Sequence, residues 1–115
     1  MARKSLIASM PKTVKVGCFV YDVLVLHADA GDIAGVMGAQ HARVLKIYVR
    51  EEQPPLQLAN TFLHEVLHAI HHQYGLDDGD DEESFTNLTA NGLCAFWMDN
   101  PAAVKWWSRI VQARA

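Results

Sequence analysis

Three residues in the middle of the chain have the types and spacing of a zinc hydrolase site. His64, Glu65 and His68 form the pattern His-Glu-x-x-His, which on a helix is the signature of that class. Residues four apart lie about 40° apart around a helix, one turn above the other, so both imidazoles can reach one metal ion. Glu65 lies one step further round, where it can act as the base toward water.

The element that must position these residues is a long amphipathic helix. It should begin at about Pro55 or Leu56 and end at Tyr74, with Gly75 as its C-terminal cap. At 100° per residue, one stripe is apolar and should pack on a sheet, namely Ala59, Leu63, Val66 and Ile70. The neighbouring sector carries no Lys or Glu, as expected for the floor of a cleft; it contains Gln57, Asn60, Thr61, His64, His68 and His71.

A catalytic zinc needs a third protein ligand and an open position for water. The metzincin pattern would place Gly and His three and six residues after His68, but His71 and Tyr74 stand there. The expected ligand is instead a carboxylate from the next helix, predicted over about 81–98 behind a short acidic loop, as in gluzincins. Its candidates are Glu82 and Glu83.

The helical pattern favours Glu83 over Glu82 as that third ligand. Glu83 shares a stripe with small or polar residues suited to lining a site, namely Asn87, Ala90 and Cys94. Glu82 lies nearer to the stripe of Phe85 and Leu88. His71 is a further alternative.

Two other parts of a peptidase site are expected. A donor toward the developing oxyanion, or a substrate contact, could come from Tyr74, His71 or His72. The strand predicted over 44–49, just before the helix, is the expected sheet edge along which an extended peptide or protein substrate would pair.

The rest of the chain predicts a single α+β domain over 1–115. Val-rich segments over 13–26 should form two strands with a turn near Gly17 and Cys18, and 33–37 a short strand followed by a turn over 38–42. We expect three or four strands in a mostly antiparallel sheet packed on the helix, then two further helices. Residues 1–11 are expected to be a loose or lightly docked terminal segment. Gly92 should mark close helix packing, because glycine is unfavourable inside a helix.

Composition narrows the possible partners. With 115 residues and a net charge of −3, the chain has no basic cluster for nucleic acid and no apolar run of a membrane span. Cys18 and Cys94 lie far apart in apolar surroundings. They are expected to be reduced core residues of a cytoplasmic protein.

These motifs resemble a known family. The segment Thr61–Ile70, followed by Tyr74-Gly75-Leu76, Glu82-Glu83 and Asp99-Asn100-Pro101, is similar to small metallopeptidase-like proteins of bacteriophages and prophages. These proteins are distant relatives of the ImmA/IrrE-type and SprT-type gluzincin domains. The resemblance covers roughly residues 13–102. It implies a zincin-like fold, one zinc ion per chain, and a location in the bacterial host cytoplasm.

Within that resemblance, Glu83-x-x-Thr86-Asn87-x-x-Ala90 is similar to the Glu-x-x-Ala-Asn-x-x-Ala pattern around the third ligand of ImmA/IrrE-type proteins. It departs from the pattern at Thr86. It implies His64, His68 and Glu83 as the zinc ligands of a peptidase, with Glu65 as the base. Two alternatives stay open at this point. One is a zinc-containing binding or regulatory module of a phage without proteolytic activity, and the other is a hydrolase of a non-protein amide.

Overall fold

The computed structural model describes residues 3–27, 38–41, 44–76 and 81–113. The elements, in chain order, are α1 (Arg3–Ser9), β1 (Thr13–Val16), β2 (Phe19–Leu26), β3 (Gly38–His41), β4 (Lys46–Arg50), α2 (Pro55–Gln73), α3 (Glu82–Asp99) and α4 (Pro101–Gln112). The predicted α+β class is confirmed. The strands form one four-stranded sheet in the order β1-β2-β4-β3.

The two outer pairings of the sheet are antiparallel and the central pairing, β2 with β4, is parallel. The expected hairpin between β1 and β2 turns at Gly17, whose φ of +62° suits glycine. The predicted mostly antiparallel sheet is therefore confirmed, since two of its three pairings are antiparallel. The parallel centre arises because the chain leaves β2, forms β3, and only then returns to pair β4 beside β2.

The prediction that the strand over 44–49 is a sheet edge was wrong. β4 is hydrogen-bonded on both sides, with β2 on one and β3 on the other. The edge next to it is β3, over part of the segment predicted as a turn. Its sequence, Gly-Ala-Gln-His, has low strand propensity, so pairing with β4 rather than local preference makes it a strand. The strand expected over 33–37 lies outside the described residues.

Helix α2 lies against one face of the sheet. Its buried apolar side is wider than the predicted stripe and consists of Leu58, Ala59, Phe62, Val66, Ala69 and Ile70. Leu63, which was predicted in the stripe, lies at the border of this side and is only half-buried. The helix ends at Gln73, one residue before the predicted Tyr74, and Gly75 follows as the predicted glycine cap with φ of +74°. The N–H groups of Gly75 and Leu76 donate to the carbonyls of His72 and His71, which is a Schellman cap.

The N-terminal segment, expected to be loose or lightly docked, packs into the core through its described residues. Leu6 and Met10 are buried in the same core as α2 and the sheet. The indole N–H of Trp106 on α4 donates to the carbonyl of Leu6 at 2.8 Å, and its ring packs edge-on against Phe62. A buried indole needs an acceptor, and α1 supplies it. No periodicity in the first eleven residues could have shown this long-range partner.

The corner between α3 and α4 is tied to β1 by one side chain. Pro101 begins α4, and the side chain of Asn100 does not cap that helix. Its amide instead accepts from the N–H of Lys15 and donates to the carbonyl of Lys15, both at 2.8 Å. It also donates to the carbonyl of Phe96. Asn100 thereby takes the place of a strand neighbour at this point of the β1 edge.

The two cysteines are free, as expected, but both are exposed rather than in the core. Cys18 lies in the hairpin turn, and Cys94 lies on α3, where Gly92 rather than Cys94 is the buried residue. Across the described ranges, no helix combines the length and the apolar character needed to cross a membrane.

Candidate metal centre

The two histidines of the motif converge. His64 and His68 are exposed on α2, and their Nε2 atoms lie 3.0 Å apart. The ring centroids are 4.7 Å apart and the rings are inclined by 72°. Two imidazole nitrogens bound tetrahedrally to one zinc lie about 3.3 Å apart, so the pair needs only a small adjustment. The same geometry also permits one neutral ring to donate a hydrogen bond to the other.

Glu65 lies on the border between this exposed side and the core. Its side chain is only 6% exposed. Burial raises the pKa of the Glu65 carboxyl, and the neighbouring His64 and His68 act in the opposite direction. A carboxylate with a raised pKa is a better proton acceptor than an ordinary exposed glutamate. The helix thus presents two imidazoles and a partly desolvated carboxylate side by side.

The third-ligand candidates lie in the first turn of α3. Asp81 caps this helix by accepting from the N–H of Ser84 at 2.8 Å. That hydrogen bond lowers the pKa of Asp81. Glu82 and Glu83 follow and are both exposed. Over the described part of the chain, no group of three or more His, Cys, Asp or Glu gathers as a metal site.

The side of α3 that faces α2 is defined by three contacts. Phe85 packs on His71, Thr89 meets the His71 ring, and Gly92 lies against Ile70. Glu82 lies three residues before Phe85, close to this side, whereas Glu83 is rotated a further 100° around the helix. The contacts therefore bring Glu82 nearer to α2, while the motif resemblance points to Glu83.

His71 is directed at α3 rather than paired with His64 or His68. Its Nε2 lies 3.2 Å from the hydroxyl of Thr89, and its ring centroid is 5.1 Å from that of Phe85. Burial lowers the pKa of His71, and the proximity of His68 lowers it further. In this arrangement His71 joins the two helices, which favours a structural role over its suggested role as a ligand.

The other suggested substrate contacts are placed differently. The Tyr74 ring packs at the helix end between the hairpin turn and α3. A side-chain carbon on Gly17 would lie 3.8 Å from this ring, and one on Gly92 would lie 3.2 Å from it. Tyr74 is therefore a packing residue at this junction. His72 is exposed one residue beyond His71.

The sequence reasoning missed a buried polar pair beside the motif. Gln53 is fully buried between β4 and α2, and its side-chain carbonyl accepts from the hydroxyl of Thr61 at 2.7 Å. Thr61 lies one helical turn before Glu65 and is also buried. Thr61 was expected in the polar sector, but the pattern contained no signal that Gln53 would be its partner.

Comparison with known proteins adds no relative. No family model, no curated protein and no solved structure matches this chain. The function is therefore argued from the geometry of His64, Glu65 and His68. The two imidazoles are suitable as two of the protein ligands of a zinc ion, and the adjacent carboxylate is suitable as a base toward water.

Proposed function

We propose that this protein is a zinc-dependent peptidase of the gluzincin type. The observation that carries the proposal is the convergence of the two Nε2 atoms, 3.0 Å apart, beside the buried carboxyl of Glu65. Each of these features follows from the spacing of the motif on a regular helix. Together they supply two neutral nitrogen ligands and a proton acceptor within one turn.

In this proposal His64 and His68 hold the metal through Nε2, and a glutamate from the first turn of α3 completes the site. Glu83 is assigned on its motif, with Glu82 as the alternative on the α2-facing side. Bound zinc supplies Lewis-acid polarisation of a carbonyl and lowers the pKa of water towards about 7. Glu65 accepts a proton from the attacking water at a carboxylate oxygen. It then delivers that proton to the nitrogen of the leaving amine.

The sheet topology suggests where an extended peptide would bind. β3 is an outer strand, it packs against α2, and its inner neighbour is β4. At the opposite edge, Asn100 already occupies the N–H and carbonyl of Lys15 on β1. A peptide adding as a further strand is therefore proposed to pair with β3, which replaces the strand over 44–49 as the expected edge.

The test is metal content combined with a variant of the base. Purified protein is expected to contain about one zinc per chain and to cleave casein or a peptide library. Glu65→Gln should keep the zinc and lose the cleavage, because the amide cannot accept the proton. His64→Ala and His68→Ala should lose the metal, while His72→Ala, a neighbouring exposed histidine, should keep it. A wild-type protein that stays metal-free after expression in zinc-replete medium would refute the proposal.

One observation favours a second candidate, a zinc-containing module that acts by binding. Glu82 and Glu83 are both exposed, and the described residues do not assemble a third ligand around the histidine pair. A metal ion held by the two histidines would then stabilise a surface that binds a partner, and it would not catalyse hydrolysis. This candidate is supported if the wild type binds one zinc ion per chain and neither the wild type nor Glu65→Gln cleaves any substrate.

A further inference from the structure

A buried hydrogen-bonded bridge connects the sheet to α2 just before the motif. The side-chain amide of Gln53 donates to the carbonyl of Arg50, the last residue of β4, at 2.8 Å. Its side-chain carbonyl accepts from Thr61 at 2.7 Å. The backbone N–H of Gln53 also donates to the carbonyl of Glu51. These hydrogen bonds hold Gln53 between the end of β4 and the second turn of α2.

The bridge is close to the candidate site along the helix axis. Thr61 lies three residues before His64 and four before Glu65, a rise of about 6 Å to the latter. Thr61 and Glu65 are the two buried polar residues of α2. At 100° per residue they lie about 40° apart, on the same border of the helix. A rotation or shift of this turn would therefore move Glu65 almost as a rigid body.

Apolar contacts alone define this position poorly. The buried side of α2 is made of aliphatic and aromatic residues, whose attraction depends on the area removed from water and not on direction. A hydrogen bond weakens steeply with distance and angle. In a buried setting neither Gln53 nor Thr61 can exchange its partner for water at low cost. The bridge is therefore a directional restraint on the sheet side of the motif, as the His71–Thr89 hydrogen bond is on the α3 side.

We propose that the Gln53–Thr61 bridge is a positioning device that holds α2 in register with β4, so that the His64/Glu65/His68 group meets the parts of the site carried by other elements. This inference rests on the proposed function for its catalytic consequence. The register itself does not depend on metal. Gln53 and Thr61 are positioning residues, since they act through α2.

The decisive variant is Thr61→Val, which keeps the shape of the side chain and removes the hydroxyl that donates to the Gln53 carbonyl. Thr61→Ser restores a hydroxyl. The matched control is Tyr21→Phe, which removes the 2.7 Å hydrogen bond from Gln73 to the Tyr21 hydroxyl. That bond also joins α2 to the sheet, but at the far end of the helix.

The first measurement uses metal-free protein. The imidazole C–H resonances of His64 and His68 should shift in Thr61→Val, return towards wild type in Thr61→Ser, and stay unchanged in Tyr21→Phe. The second measurement is zinc affinity by competition with a chromophoric chelator. Thr61→Val should weaken it about tenfold, the lower end of the loss seen when supporting hydrogen bonds of metal sites are removed.

The outcomes separate this inference from the proposed function. If the wild type binds no zinc, the proposed function fails, and the resonances of the metal-free variants still decide whether the bridge sets the register. If Thr61→Val changes only the melting temperature, with resonances and zinc affinity matching Tyr21→Phe, the bridge is ordinary core structure and the inference is overturned.

Discussion

Gly92 offers a prediction whose sign runs against helix propensity. Glycine inside a helix costs about 1 kcal/mol relative to alanine, so Gly92→Ala on propensity alone should stabilise the protein by that amount. The structure adds an opposing effect. A Cβ at Gly92 would overlap Cγ2 of Ile70 and lie 3.2–3.3 Å from ring carbons of Tyr74.

The overlap is expected to win. Overpacking a well-filled contact costs about 1–3 kcal/mol, and here the most crowded atom, Cγ2 of Ile70, is bonded directly to Cβ and cannot move away without the backbone. With about 2 kcal/mol of strain against 1 kcal/mol of propensity, Gly92→Ala should lower the free energy of unfolding by about 1 kcal/mol. In a domain of this size that corresponds to a fall in melting temperature of about 4 °C.

The assay is urea or thermal unfolding followed by circular dichroism, with two comparison variants. Ala90→Gly, at an exposed position of the same helix, should lose about 1 kcal/mol and so report propensity alone. Ile70→Leu removes the methyl group on Cβ that the new atom would strike. The double variant with Gly92→Ala should therefore be more stable than the sum of the two single changes. A Gly92→Ala protein more stable than wild type would refute the close-packing argument.

Three further predictions concern the site and its frame. Glu65→Gln should raise the melting temperature of the metal-free protein at pH 7. Burial raises the pKa of Glu65 in the folded state, so the folded protein binds this proton more tightly than the unfolded chain does. The stability gained in this way is present in full below the unfolded pKa and is lost as pH rises through the folded pKa. At pH 7 the wild type therefore carries a buried carboxylate, which the glutamine variant lacks. The gain should vanish near pH 4, and melting in EDTA at both pH values checks this; an equal gain at both would contradict it. In a zinc titration, one of the two variants Glu82→Gln and Glu83→Gln should lose about tenfold or more in zinc affinity, and the other should not. If both keep the wild-type affinity, neither glutamate is a zinc ligand. Asn100→Ala should lower the free energy of unfolding in urea by about 2 kcal/mol, because one side-chain amide makes three hydrogen bonds. If Asn100→Ala lowers it no more than Asn91→Ala, a change at an exposed position of α3, Asn100 does not act as a strand neighbour of β1.

Local patterns predicted the part of the fold that local physics controls. The helix over 55–73, its glycine cap, the hairpin at Gly17 and the close packing of Gly92 were all readable from the sequence. In each case one residue type has a conformational reason to be there. The convergence of His64 and His68 follows in the same way, because a regular helix places residues four apart on one face.

What only the tertiary structure decided are the relations between distant segments. β3 became a strand by pairing with β4, and α1 became part of the core by accepting a hydrogen bond from Trp106. Neither partner is near in sequence, so no periodicity could show it.

The same distinction applies to the site. The sequence by itself indicated two candidate ligands and a candidate base, because all three lie within five residues of one helix. Gln53 and Thr61 meet across a turn and a helix start, and their hydrogen bond joins α2 to the end of β4. Which of Glu82 and Glu83 lies closer to α2 depends on how α3 packs on α2. These are contacts between elements, set by the packing of the whole core rather than by the preference of any one segment.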